Sequence, residues 1–255
     1  MNNMVLNNMA SEKSPALSRR TFIVGSAAIA GGGLALGLNV PFGGDVAQAE
    51  GAAATEVNVW VAIRPDDTCV IRIARSEMGQ GTLTGLAQLV AEELECDWSK
   101  VATEGITPGR NLASKRAWGE MGTGGSRGIR TSQDYVRRGG AVARMMLLQA
   151  AADQWNVPVG ELTVSNGVIT HAASQRQVRY GEVAASAAKL TPPDAKAIKL
   201  KDPKDWKIAG KPLKRLDTAD KLDGSKVFAI DLKLPGMLCA AIKDCPVFGG
   251  KLKSY

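Results

Sequence analysis

Apolar and polar positions alternate through Val57-Asn58-Val59-Trp60-Val61-Ala62-Ile63, which predicts a strand over 57–63. Pro65-Asp66-Asp67 supplies a turn, and Thr68 to Arg75 returns as a second strand in which Val70 departs from strict alternation. The period then changes. Leu83, Leu86, Ala87, Val90 and Leu94 recur at intervals of three and four, one face of an amphipathic helix running to Glu95. Lys100 to Thr107 reads as another strand, and Pro108-Gly109-Arg110-Asn111 opens a polar loop. From Gly125 to Trp155 a long helix is predicted, with Ile129, Tyr135, Val136, Ala143, Leu147, Ala150 and Ala151 as its apolar stripe. Gly139-Gly140 in its middle costs about 1 kcal/mol per glycine relative to alanine, which implies close packing against another element. Leu162-Thr163-Val164 and Val168-Ile169-Thr170 flank Asn166-Gly167, the signature of a two-residue hairpin turn, and Tyr180 to Leu190 is a short alanine-rich helix.

Pro192-Pro193 and a lysine-rich stretch interrupt this α+β pattern. Beyond them, Val227 to Asp231 and Pro235 to Ile242 have the texture of turns and strands in a new β-rich unit. The implied organisation is a leader over 1–49, a main segment over 50–193, a basic linker over 194–212 and a second, incomplete unit over 213–255.

Composition narrows the function classes. With 255 residues and 45% hydrophobic content, the chain can bury a substantial core. The net charge of +7 is spread, and Lys196, Lys199, Lys201, Lys204, Lys207, Lys211, Lys214 and Arg215 are interrupted by Asp202 and Asp205. No aromatic interleaving accompanies them, so this stretch reads as a solvated linker and no nucleic-acid partner is expected. Cys69, Cys96, Cys239 and Cys245 have no zinc or thioredoxin spacing and read as thiols; no metal-ligand set is expected. His171 is the one histidine, expected in a surface or partly buried turn, which disfavours Ser-His or Cys-His catalysis.

The leader carries its own signal. Ser18-Arg19-Arg20-Thr21-Phe22-Ile23-Val24 precedes a Gly/Ala/Leu stretch and resembles a twin-arginine export signal, with Ala47-Gln48-Ala49 as the expected cleavage site. A membrane anchor would need about 20 strongly apolar residues, and this run is glycine-rich and weakly hydrophobic. The expectation is a periplasmic protein exported already folded, often around a complex cofactor.

Two glycine-rich segments carry the candidate chemistry: Ser76-Glu77-Met78-Gly79-Gln80-Gly81-Thr82 and Glu120-Met121-Gly122-Thr123-Gly124-Gly125-Ser126-Arg127. Each opens a helical pattern, where unpaired N–H groups and the positive end of the helix dipole favour an anion. Neither fits GxGxxG, and no Walker lysine follows, which argues against a generic nucleotide site. At these residues, at Asn166-Gly167-Val168-Ile169 with Val178-Arg179-Tyr180-Gly181-Glu182, and over Asp217 to Met237, the chain resembles the N-terminal portion of the molybdopterin-binding large subunit of the xanthine oxidase family. The resemblance is to its permuted bacterial branch, typified by isoquinoline 1-oxidoreductase and exported aldehyde dehydrogenases.

That resemblance implies a β-hairpin plus helices of the molybdopterin-binding domain, followed by the start of an α/β hammerhead domain. It implies molybdenum held by molybdopterin or its cytosine dinucleotide form, with Gly79, Gln80 and Gly81 contacting the pterin. Thr123, Gly124, Gly125 and Ser126 would hold the pterin or its phosphate through N–H groups and hydroxyls, and Arg127 would pair with a phosphate. The implied chemistry is hydroxylation of N-heterocycles or aldehydes with oxygen from water. Electrons would pass to a 2Fe-2S small subunit and onward to an acceptor such as a cytochrome c. No iron-sulfur cluster is expected in this chain, since it lacks clustered cysteines. The family's base glutamate belongs to a far C-terminal part, so no catalytic residue is assigned here: Glu77 and Glu120 read as capping or surface residues. The chain alone is expected to be inactive and to be completed by that C-terminal part; the alternative is an exported binding or scaffold remnant of the fold.

Overall fold

The computed structural model describes residues 53–254, so the segment expected to be an export signal lies outside the described residues. A four-stranded sheet runs in the order β1 (Thr55–Glu56), β2 (Val61–Ile63), β3 (Cys69–Ile73), β4 (Val101–Gly105). The first three strands are antiparallel, and β4 lies parallel to β3 with Cys69 opposite Val101. The strand expected over 57–63 is split because Asn58 competes for the backbone. Its side-chain oxygen accepts the N–H groups of Trp60 at 2.8 Å and Val61 at 3.0 Å, making a local turn between β1 and β2. All five residues of β3 are buried, which explains why Val70 breaks alternation: this strand is covered on both faces. Arg72 is the buried charge on it, braced by Glu56 at 2.7 Å and Glu104 at 3.0 Å.

Between β3 and β4 runs α1 (Thr82–Leu94), as its periodicity predicts. The polar loop expected after β4 is instead a short helix, α2 (Pro108–Ala113). Thr107 caps it by accepting the Arg110 N–H at 3.2 Å, and Pro108 takes the first helical position, where its missing N–H is harmless. The long helix predicted from Gly125 is broken. A 3₁₀ turn (Gly124–Ser126) and α3 (Arg127–Arg130) precede α4 (Gln133–Trp155). Gly125 and Ser126 have φ of 66° and 54°, a left-handed conformation that a continuous helix cannot include.

Helix α4 packs on α1 and the sheet as its double glycine requires. A Cβ at Gly139 would come within 2.5 Å of the Trp60 ring, and one at Gly140 would collide with the Val90 carbonyl oxygen. The hairpin turns at Asn166-Gly167, both at positive φ, and joins β5 (Leu162–Ser165) to β6 (Val168–His171). A third strand not predicted, β7 (Arg176–Arg179), completes the sheet and leads into α5 (Tyr180–Ala187). The Tyr180 hydroxyl, fully buried, donates to the Leu94 carbonyl at 2.6 Å and so fastens this unit to the end of α1. His171 is buried, bonded to Ser174 Oγ at 2.7 Å and Glu161 Oε2 at 2.9 Å. The thiols are free, with Cys69 and Cys96 in the core and Cys239 and Cys245 exposed. Its contact with Cys69, together with burial, holds the Cys96 thiol well above its usual range.

The basic stretch is docked, not free. Glu92 and Glu93, outside the apolar stripe read for α1, are fully buried. Glu92 Oε2 accepts the N–H groups of Lys207 at 2.8 Å, Ile208 at 2.5 Å and Ala209 at 3.1 Å, while Lys201 Nζ meets Glu92 Oε1 at 3.0 Å. Glu93 pairs with Arg137 of α4 at 2.7 Å, and that guanidinium lies over Trp206. Farther on, the described residues form α6 (Ala219–Leu222) and a 3₁₀ turn (Ala229–Asp231). The strands expected at 227–231 and 235–242 do not form. A strand needs a paired neighbour and a core face, and Ile230, Leu238 and Ile242 are all exposed.

Candidate functional site

The parallel pair β3 and β4 ends at Ile73 and Gly105, and the first glycine segment springs from the carboxyl end of β3. Ligand clefts of parallel sheets form at that end of the strands. A cleft of about 330 Å³ opens there, and its lining includes Arg75, Glu77, Leu83, Ile106 and Met121.

Gly79 and Gly81 have φ of 98° and 83°, which a side chain would strain. A Cβ at either position would meet nothing within 4 Å, so both backbones are open for a ligand to approach. The N–H groups of this loop are not free, however. Glu77 turns back on its own segment and accepts from Gly79 at 2.7 Å, Gly81 at 3.0 Å and Leu83 at 2.9 Å. Burial pushes the Glu77 carboxyl up, but these three N–H donors and the Arg215 charge outweigh it and hold the group below its usual value. Glu77 is thus a capping carboxylate, as expected, and it already occupies the anion-binding end of α1. Gln80 bends inward as well: its Oε1 accepts from the Met78 N–H at 2.5 Å, and its Nε2 donates to the Ser76 carbonyl at 2.8 Å and Thr82 Oγ1 at 3.0 Å.

The second segment lies alongside the first. Thr123 Oγ1 donates to Met78 Sδ at 3.8 Å, and the side chain of Thr82 packs against the backbone of Gly128 so tightly that a Cβ there would lie 2.9 Å from Thr82 Oγ1. Gly124, Gly125 and Ser126 are exposed, and no side chain caps their turn. Arg127 is half-exposed, bonded to the Gly124 carbonyl at 3.0 Å and paired with Glu120 at 3.3 Å; Arg130 reaches the Gly125 carbonyl at 3.2 Å. All eight sequence-predicted residues therefore fall on two adjoining loops. Anion-binding capacity is concentrated on the second, where uncapped N–H groups and two guanidinium groups meet.

Two residues that the sequence did not single out hold the arrangement. Arg75, just past β3 and 4% exposed, donates to Ser132 Oγ at 3.0 Å, Thr131 Oγ1 at 3.1 Å and the Gly122 carbonyl, which ties the second loop to the base of the first. Arg215 donates to the Gly79 carbonyl at 2.8 Å and to Glu77 Oε1 at 3.2 Å. A charged residue ending an apolar strand beside glycines was the available signal for Arg75; nothing local marks Arg215. Among the described residues there is no group of three or more His, Cys, Asp and Glu able to hold a metal ion, and no helix long and apolar enough to cross a membrane.

Residues 16–222 match the family described as Molybdopterin cofactor-binding domain. The chain is 32% identical to isoquinoline 1-oxidoreductase subunit beta of Brevundimonas diminuta, a match covering 91% of this chain and 34% of that protein. It is 30% identical to the membrane-bound aldehyde dehydrogenase [pyrroloquinoline-quinone] of Gluconacetobacter polyoxogenes, over 100% of this chain and 33% of that protein. It therefore spans about a third of the length of these relatives. Among solved structures it is similar to quinoline 2-oxidoreductase from Pseudomonas putida 86, at 20% identity and a TM-score of 0.34, covering 52% of this chain and 17% of that one.

Proposed function

The chain belongs to the molybdopterin cofactor-binding domain family, and from that membership we propose that it forms one wall of the cofactor site in an exported molybdenum hydroxylase. The carrying observation is the convergence of the two glycine loops on one exposed surface, locked together by buried Arg75. These residues fit the group. Gly79 and Gly81 leave open backbone against which a flat heterocycle can lie, and the Gln80 amide, its two donors held by Ser76 and Thr82, offers the remaining acceptor lone pair of Oε1 beside them. Thr123 to Ser126, with Arg127 and Arg130, take its phosphate or cytosine dinucleotide extension through uncapped N–H groups and guanidinium charge.

Bound molybdenum supplies hydroxylation of an N-heterocycle or aldehyde with water as the oxygen source. This chain's share is to bind, orient and neutralise the cofactor. Glu77 contributes no base, because its carboxylate is committed to three N–H groups and one guanidinium. The relative named as a beta subunit supports partner subunits, and the electrons would leave to an iron-sulfur subunit. Periplasmic export by the twin-arginine route fits a site assembled around a cofactor before secretion.

One relative is named for pyrroloquinoline quinone, which makes that quinone the competing cofactor. A single preparation decides. The chain, purified with the polypeptides that complete it, is assayed for molybdenum by elemental analysis, for pterin by fluorescence after oxidation, and for quinone in the same extract. Molybdenum and pterin in proportion to protein are expected; their absence, or quinone in their place, overturns the proposal.

A further inference from the structure

The Gly79–Gly81 loop has no packing of its own. Both glycines face open space, and Met78 and Gln80 between and beside them are exposed. Its shape is set by polar contacts: Gln80 bridges Ser76, Met78 and Thr82 within the loop, Glu77 takes the N–H groups of Gly79 and Gly81 on one side of the backbone, and Arg215 takes the Gly79 carbonyl at 2.8 Å on the other. Arg215 is itself fixed. Asp217, whose side chain is 7% exposed, accepts from its Nε at 3.0 Å and its Nη2 at 2.9 Å, and Lys221 pairs with the same carboxylate. Next to it, the Leu216 N–H donates to Thr84 Oγ1 at 3.1 Å in the first turn of α1. Upstream, Gln88 of α1 holds the carbonyls of Ile208 and Lys211. The chain between Ile208 and Leu216 is therefore tied to α1 at three points, with Arg215 reaching the loop.

We propose that Glu77 and Arg215 are positioning residues that latch the Gly79–Gly81 loop in its cofactor-receiving shape, and that the segment around Arg215 and Asp217 is a working part of the cofactor site rather than a tether. This rests on the molybdopterin reading above for the identity of what the loop receives. Without the latch, two glycines with free access to both signs of φ would sample many loop shapes, and binding would have to reorder them. Glu77 also fills the anion-binding end of α1, so the negative groups of the ligand are directed to the second loop, where Arg127 and Arg130 stand.

The test uses the full chain prepared with the polypeptides that complete it, as wild type, Glu77→Gln, Arg215→Met and the double variant. Pterin and molybdenum retained per protein after gel filtration should fall about tenfold in each single variant and no further in the double, because both substitutions break one unit. Amide exchange is read in parallel on cofactor-stripped protein. The N–H groups of Gly79, Gly81 and Leu83 should exchange faster in the variants, while α4 amides and the melting temperature stay at wild-type values. Unchanged exchange in the loop overturns the latch whatever the cofactor does; so does full cofactor retention, or a loss that only follows general unfolding. A wild-type preparation free of molybdenum and pterin sinks the function proposed above, and the exchange experiment still judges the latch.

Discussion

Glu92 and Ile208 lie 116 positions apart in the chain, and the Ile208 N–H donates to Glu92 Oε2 at 2.5 Å. That oxygen also takes the N–H groups of Lys207 and Ala209, so one buried carboxylate gathers three consecutive amides as an anion nest would. Replacing it strands donors that were desolvated on folding. Glu92→Ala is expected to cost about 3–5 kcal/mol, the range for breaking a buried charged cluster on one side. Chemical denaturation measures the loss, and limited proteolysis should place the first new cuts within 199–210.

Acid should act at the same point. Burial pushes the Glu92 carboxyl up, but the Ile208 N–H, Lys201 and the Ala209 N–H outweigh that and hold it below the ordinary value of 4.5. A depressed carboxylate stabilises the fold fully above pH 4.5 and loses that contribution as pH falls through its lower folded value. Glu92→Gln should therefore flatten the stability profile below pH 4.5, and a denaturation series from pH 7 to 3 reads the difference.

Gly139 makes a sharper packing test. Its hydrogen occupies the space against the Trp60 ring, where a methyl group would sit at 2.5 Å. Gly139→Ala gains helix propensity of about 1 kcal/mol but overpacks a closed interface at a cost of about 1–3 kcal/mol. The net expectation is destabilisation, whereas Gly160→Ala, with nothing within 4 Å of its Cβ, should lower the melting temperature little or not at all.

The contrast between Gly139 and Glu92 shows what could be read from sequence. A double glycine inside a helical period announces a close approach, because its cost has to be offset by contact, and the sequence needs no knowledge of the partner. Glu92 and Glu93 lie outside the stripe read from Leu83 to Leu94, and a helical period cannot foresee that 201–209 returns to cover them. The helix break at Gly125 and Ser126 was hidden for a related reason: left-handed geometry at a serine follows from tertiary fit, not from its type. In the candidate site the glycine positions were legible as backbone requirements. Arg215 was not, because the loop groups it holds lie more than a hundred residues away.

Arg75 should behave as the joint between the two loops. Its buried guanidinium spreads donors over Ser132, Thr131 and the Gly122 carbonyl, a fork that an ammonium cannot reproduce. Arg75→Lys is expected to keep the fold yet loosen residues 120–126, seen as faster amide exchange there with α1 unchanged. Arg75→Met should do the same and cost about 1–3 kcal/mol besides, since the Gly122 carbonyl and Thr131 Oγ1 lose a donor while buried Ser132 Oγ keeps only its bond to Tyr135 Oη at 2.7 Å.

Tyr180 closes the core where α5 meets the end of α1, and its hydroxyl donates to the Leu94 carbonyl in a site without solvent access. Tyr180→Phe leaves that carbonyl short of a donor and should cost about 1–3 kcal/mol by denaturation. Alkali gives an independent reading. Burial, reinforced by the nearby Cys96 and Cys69, pushes the phenol well above its ordinary value of 10.0. A group raised in the folded state contributes its full stability below pH 10.0, and that contribution is lost as pH rises toward the folded value. In an absorbance titration one of the three tyrosines should stay neutral past the others and ionise only with unfolding. Loss of that late step in Tyr180→Phe would identify the residue, and its persistence would show that another tyrosine is responsible.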